Sequence, residues 1–234
     1  TKKTTDYFEL TTSTTTGFDV TVDDGSALAV SNATGYELYS TYKIKCTPKN
    51  PANYAFDSWQ IVSGGTSYIT IADKNAAETT LYVKGYINSS ITVTPKVYLI
   101  PKITTTAESL LNTAGQPFNK PIEITFSKLM DTSKLTLSNI KIYNGPENIA
   151  TNTYFYDPST STVSGATKVT LKPKNALFNI LGTDKTRDLV IQFDETKITD
   201  NETNKHKLEG TTSFDYRINR NFAIEFETRQ CYNS

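Results

Sequence analysis

The side chains able to carry reactive chemistry are few: one histidine, two cysteines and one tryptophan among 234 residues. A hydrolase needs a nucleophile, a base and a group that orients the base, so a Ser-His-Asp arrangement here would have to use His206. That residue lies in Glu202-Thr203-Asn204-Lys205-His206-Lys207, a polar stretch that reads as a solvated surface loop. A general base works instead in oriented, water-limited surroundings. No GxSxG, HExxH, P-loop or GxGxxG pattern occurs. Paired carboxylates for glycoside hydrolysis are defined by spatial separation, and no pair stands out along the chain. The chain is read as not an enzyme.

The two cysteines, Cys46 and Cys231, make no metal pattern with a single histidine. Alternation along Tyr42-Lys43-Ile44-Lys45-Cys46 puts the thiol on the face of Tyr42 and Ile44. A buried free thiol is the preferred reading, and a disulfide to Cys231 stays open. Asp23-Asp24, Asp131 and Asp200-Asn201-Glu202 could offer hard oxygen ligands to calcium. None matches an EF-hand or repeat calcium loop, and Asp and Asn also occupy turns because their side chains bond nearby backbone. Turn chemistry is preferred, and calcium stays open.

Trp59 could stack on a sugar ring if exposed, but in Tyr54-Ala55-Phe56-Asp57-Ser58-Trp59 it reads as core. Tyrosines at 36, 39, 42, 54, 68, 82, 86 and 98 are too many to be all buried, so several are expected on the surface of the first half. Asn32-Ala33-Thr34, Asn88-Ser89-Ser90 and Asn201-Glu202-Thr203 match the glycosylation triplet, which chance supplies in an Asn/Thr-rich chain.

The elements that would position these groups read as strands. Phe18 to Val22 alternates and meets the turn Asp23-Asp24-Gly25-Ser26. Leu28 to Val30 is broken by Asn32 to Gly35. Tyr42 to Cys46, Ala55 to Val62 before Gly64-Gly65, Tyr68 to Ile71, Thr80 to Val83 and Ile91 to Tyr98 follow. Pro95 places the last of these at a sheet edge. The stretch from Leu99 through Pro101 to Thr106 reads as the junction between two domains, with one helical turn over Ala107 to Leu111. The second half adds Ile122 to Phe126, Ile140 to Tyr143, Thr153 to Tyr156, Lys168 to Leu171, Asp188 to Phe193, Thr212 to Tyr216 and Ala223 to Phe226. Turn clusters lie at Asn144-Gly145-Pro146 and Asp157-Pro158-Ser159. About seven short strands with frequent turns is the pattern of a β-sandwich.

Composition agrees. Threonine is about one residue in six and there are 14 tyrosines, types that favour a pleated backbone. Twenty-four basic residues cancel 24 acidic ones, so no long-range field favours nucleic acid or an anionic membrane. No run of 18 apolar residues is present, hence no membrane-spanning helix is expected. The chain opens at Thr1 without a signal-like segment, which reads as a processed or excised chain, and any signal peptide or anchoring cysteine would lie upstream.

Ile122-Glu123-Ile124-Thr125-Phe126-Ser127, Met130-Asp131, Asn139-Ile140-Lys141-Ile142, Lys168-Val169-Thr170-Leu171-Lys172-Pro173 and Ile198-Thr199-Asp200 fall in the order of a recurrent motif series. Over residues 100 to about 228 they make the second half resemble the bacterial Ig-like domains of S-layer proteins. Asn201-Glu202-Thr203-Asn204 departs from that family's D-x-x-G-N loop. Gly35-Tyr36, Tyr42 to Pro48, Tyr54 to Trp59 and Ile91 to Val97 make residues 17 to 99 resemble divergent internalin-type B repeats. Both resemblances imply β modules of the bacterial cell exterior.

The expected fold is all-β: two tandem β domains, a small grasp-like β module followed by an Ig-like β-sandwich. Residues 1–16 form a spacer or edge strand, 17–99 the first domain, 100–229 the second, and 230–234 a tail. The expected role is a non-catalytic extracellular or cell-surface spacer or adhesion module, with a lipid anchor upstream as one option for its attachment and a carbohydrate-binding module as the alternative role. The partners implied are a host or matrix protein or a surface glycan, with no nucleic acid, and the chain is expected to be a monomer. No catalytic, cofactor-binding or metal-ligating residue is assigned, no cofactor is expected, and ligand-binding residues stay unassigned.

Overall fold

The computed structural model describes residues 7–8, 10–12, 17–23, 26–27, 36–37, 40–63, 67–84, 91–105, 115–149 and 151–222. The expected strands Leu28 to Val30 and Ala223 to Phe226, the turns at 32–35 and 64–65 and the helical turn at 107–111 lie outside the described residues. So do Asp24, Tyr39, Tyr86, Cys231 and the triplets at Asn32 and Asn88. The chain is all-β and divides into two compact units, Thr1–Leu99 and Ile100–Ser234.

In the first unit, β1 (Tyr7–Phe8) pairs antiparallel with β5 (Tyr36–Glu37). A five-stranded sheet runs in the order β4 (Ser26–Ala27), β3 (Phe18–Val22), β6 (Thr41–Pro48), β9 (Glu78–Val83), β8 (Ile69–Ile71). A three-stranded sheet places β10 (Ile91–Leu99) between β2 (Leu10–Thr11) and β7 (Tyr54–Ser63). Alternation explains which faces meet: Val20, Ile44 and Leu81 from one sheet share a buried cluster with Trp59, Val93 and Leu10 from the other. Pro95 lies in the central strand β10, not in an edge strand. Its missing donor is tolerated because β2 pairs only with Ile91 and Thr92, so that side of β10 is unpaired at Pro95 among the described residues.

The second unit has a five-stranded sheet in the order β11 (Gln116–Pro117), β18 (Ser213–Asn219), β17 (Thr186–Phe193), β13 (Ile140–Asn144), β14 (Glu147–Ile149). Facing it is a three-stranded sheet, β12 (Ile122–Thr125), β16 (Ala166–Leu171), β15 (Ser159–Val163). Ile124, Val169 and Leu171 from the small sheet and Ile142, Ile191 and Tyr216 from the large one lie in one buried cluster. Phe126 meets Phe193 edge-on at 5.9 Å within it.

Two local readings change. Thr153 to Tyr156 is not a strand: Thr151–Tyr154 forms a single helical turn, and Phe155 beside it is fully buried and bridged to Pro173. Burial of that phenylalanine, together with the bond from Phe155 N–H to the Thr151 carbonyl, outweighs the strand preference of the sequence. Ser159–Val163 is a strand the apolar pattern could not reveal, since all five of its residues are exposed. Its hairpin is closed by Ser164 and Gly165, both with positive φ (50° and 78°), the geometry that matches the twist of paired strands.

Candidate functional site

The polar groups nearest to a reactive arrangement gather beside the end of β12. The segment from Phe126 to Asp131 is held by backbone bonds: Phe126 N–H donates to the Thr167 carbonyl, and Thr167 N–H to the Lys128 carbonyl. The Thr167 hydroxyl accepts from Met130 N–H at 2.9 Å. Residues 198–208 fold against this segment. Met130 bridges to Asp200 and Thr199 to Lys207, while Leu208 N–H donates to the Ile198 carbonyl. Ile198 and Leu208 are buried apolar anchors on either side of the polar excursion.

Those anchors turn the excursion inward. The Asp200 side chain is 0% exposed and His206 8%, so the expectation of a solvated histidine is overturned. Polar neighbours suggested water, but pairing of Thr199 with Lys207 and burial of the flanking apolar residues carry the imidazole onto Asp200. Its Nδ1 lies 2.8 Å from Asp200 Oδ2 and 3.7 Å from Glu202 Oε2. The Asp200 Oδ1 accepts from the backbone N–H groups of Glu202 (3.2 Å) and His206 (3.1 Å). Lys128 Nζ, 9% exposed, donates to Asp200 Oδ2 at 2.7 Å and to Glu202 Oε1 at 2.5 Å.

Burial works to raise the Asp200 pKa, yet hydrogen bonds from Lys128 and His206 and the Lys128 charge prevail, holding it below the ordinary carboxylate value. The group is an ionised acceptor with donors on both oxygens, not a proton donor. Asp200, Glu202 and His206 also bring potential ligand atoms within 4.8 Å of one another. The chemistry of that set does not favour a cation, because the Lys128 ammonium already lies between the two carboxylates and would have to be expelled from a buried position.

The remaining candidates separate. Asp131 caps the 3-10 turn Thr132–Lys134 by accepting from Ser133 N–H, and Lys205 Nζ sits 3.2 Å from its Oδ2. Ser133 first, then Lys205, lowers its pKa. Asp23 accepts from Lys43 N–H at 2.6 Å and returns a bond to the Lys43 carbonyl through its own N–H. Asp131 thus shows the local turn chemistry its side chain favours, whereas Asp23 extends the pairing of β3 with β6 through both of its bonds to Lys43. Cys46 is buried in the first unit, and burial, followed by the Asp19 charge, pushes its pKa up to about 11. A thiol so protonated is a weak nucleophile.

Trp59 is 2% exposed and donates Nε1–H to the Ala76 carbonyl at 2.9 Å, so it belongs to the core. Tyr54, Tyr68 and Tyr82 are exposed. Register places Tyr82 opposite Thr70, and Tyr68 two residues earlier lies on that same solvent face, diagonal to Tyr82. An open groove of about 570 Å³ is bounded by Asn144 to Glu147 and by Asp184 and Thr186 to Asp188. It contains neither His206 nor a tyrosine. No described helix is long and apolar enough to cross a membrane.

Comparison with protein-family models and with curated proteins finds no match to this chain. The fold class therefore rests on the structure itself.

The buried network could not be found from the sequence by composition, since Lys128 and Asp200 are 72 residues apart. One signal was available: Ile198 and Leu208 bracket Asp200 and His206 as an apolar frame, which argues for a packed excursion instead of a free loop.

Proposed function

We propose that this chain is a non-catalytic module of an extracellular or cell-surface protein, serving as a structural spacer or adhesion unit. The observation that carries the reading is the state of its single histidine. His206 is oriented and largely buried, as a general base would be, but Lys128 bonds the same Asp200 and Glu202 carboxylates, which makes the cluster an ion-paired tether between two chain segments. Hydrogen-bonded ladders in both units provide resistance to extension, and the resemblances to bacterial Ig-like domains and internalin-type repeats supply the cell-surface setting. The partner class is a host or matrix protein.

The test is a hydrolase panel run beside binding to immobilised matrix proteins and a glycan array. The expected result is no turnover and no glycan signal. Turnover abolished by His206→Asn, with the fold retained, would overturn the reading. A glycan-binding role is the second reading, favoured by the Tyr68 and Tyr82 side chains exposed on one face of the five-stranded sheet. Flat aromatic surfaces suit sugar rings, and glycan binding lost on Tyr82→Ala would establish it in place of the first.

A further inference from the structure

Most sheet edges in the described residues are short, charged or covered, which is how folded proteins avoid edge-to-edge association. The outer side of β12 is covered by residues 102–104: Thr104 N–H donates to the Thr125 carbonyl and Ser127 N–H to the Lys102 carbonyl. β11 ends in Pro117, and β14 has three residues, one of them Glu147. In the first unit β7 contains Asp57, and its Trp59 N–H is bonded to the Lys74 carbonyl.

Among the described residues, β15 has none of these guards. Its five residues, Ser159-Thr160-Ser161-Thr162-Val163, carry no charge and no proline, and all are exposed. The two-residue turn makes Val163 and Ala166 a hydrogen-bonded pair, so Ser161 and Ser159 also bond inward to β16 while Thr160 and Thr162 point their backbone groups outward. The opposite strand agrees: Thr167, across from Thr162, directs its N–H and carbonyl to Lys128 and Phe126, away from β15.

We propose that β15 pairs antiparallel with β15 of a second copy of this chain, about a two-fold axis through Ser161. The sequence is self-complementary under that operation. Thr160 faces Thr162 of the other copy twice, giving four backbone hydrogen bonds, and the two Ser161 residues meet on the axis. Ser159 faces Val163. No like charges oppose one another, and threonine pairs across strands are favourable. One strand pair is a small interface, so association falls in the weak class, with Kd of roughly 10 µM to 1 mM. This proposal departs from the expectation of a monomer, and it does not depend on the proposed adhesive role.

The test is sedimentation velocity of the full chain across that concentration range. Wild type is expected to dimerise, Thr160→Lys/Thr162→Lys to weaken dimerisation at least about tenfold, and mixing that variant with Thr160→Glu/Thr162→Glu to restore it. The substituted side chains are exposed, so the fold is retained. Independently, amide exchange at Thr160 and Thr162 is expected to slow as concentration rises. A wild type monomeric to about 1 mM, a dimer indifferent to the lysine pair, or concentration-independent exchange at both threonines overturns the proposal.

Discussion

The second unit holds two charge pairs of similar chemistry in opposite surroundings. Arg217 grips Asp188 with two parallel bonds, Nε to Oδ1 at 2.6 Å and Nη2 to Oδ2 at 2.9 Å, across β17 and β18. By geometry alone it is the better pair, yet its side chains are 32% and 57% exposed. Lys128 makes single bonds to Asp200 and Glu202, but it and Asp200 are withdrawn from water. In the open pair, water offers each partner a substitute. In the closed one, removal of either partner strands the other. Solvent access, more than bond geometry, decides how much each pair contributes.

Removing the buried cation should therefore have the largest effect. Lys128→Met leaves Asp200 and Glu202 facing each other without their ammonium, and a broken buried pair costs about 3–5 kcal/mol. Denaturant unfolding should register that loss, and high salt should not reproduce it in the wild type, because buried charges are poorly screened. A change below about 1 kcal/mol would place Lys128 among ordinary surface pairs.

The same network gives a pH signature. Asp200 has a folded-state pKa below its unfolded value, so its contribution is complete above the ordinary carboxylate value near 4. That contribution declines as pH falls further and is gone below the folded-state pKa. Asp131, Asp188 and Asp194 are lowered too, so the diagnostic quantity is a difference. The stability gap between wild type and Asp200→Asn should narrow as pH drops from about 5 toward 2. A gap constant across that range would mean the carboxylate's charge is irrelevant to the tether.

These contrasts mark what the sequence could reveal. Alternation exposed the cores: Ile122, Ile124 and Phe126, or Tyr42, Ile44 and Cys46, announce a strand and its inward face. The all-β class was legible for that reason. β15 was not, because a strand whose residues are all wet has no apolar rhythm, and its identity comes from the Ser164-Gly165 turn and from β16. Phe155 misled because burial of one ring recruited a helical turn where propensity favoured a strand. His206 misled in the opposite sense: its neighbours in sequence are polar, while its neighbours in space are Asp200 and Lys128, brought by long-range pairing.

A buried polar group without a partner sharpens the comparison from the other side. The Tyr216 hydroxyl is buried with no hydrogen-bond partner among the described residues, and burial pushes its pKa well above the usual phenol value. Burying a hydroxyl without compensation is unfavourable. Tyr216→Phe is therefore expected to be neutral or stabilising by up to about 1 kcal/mol. A marked loss in chemical denaturation would mean that the hydroxyl is hydrogen-bonded in solution.

The smallest effect belongs to the pair with the best geometry. Asp188→Asn keeps the size of the side chain and removes its charge, leaving Arg217 to water that already reaches it. Arg217 has its pKa raised by the hydrogen bond to Asp188 and by that charge, but a guanidinium is cationic at every accessible pH, so no titration step follows. The thermal midpoint of the variant is expected to stay within about 2 °C of wild type, and the residual difference should vanish in about 1 M salt, where the screening length is near 3 Å. A large, salt-resistant drop would show that this cross-strand pair behaves as though buried, and that side-chain exposure is the wrong measure for ranking the two.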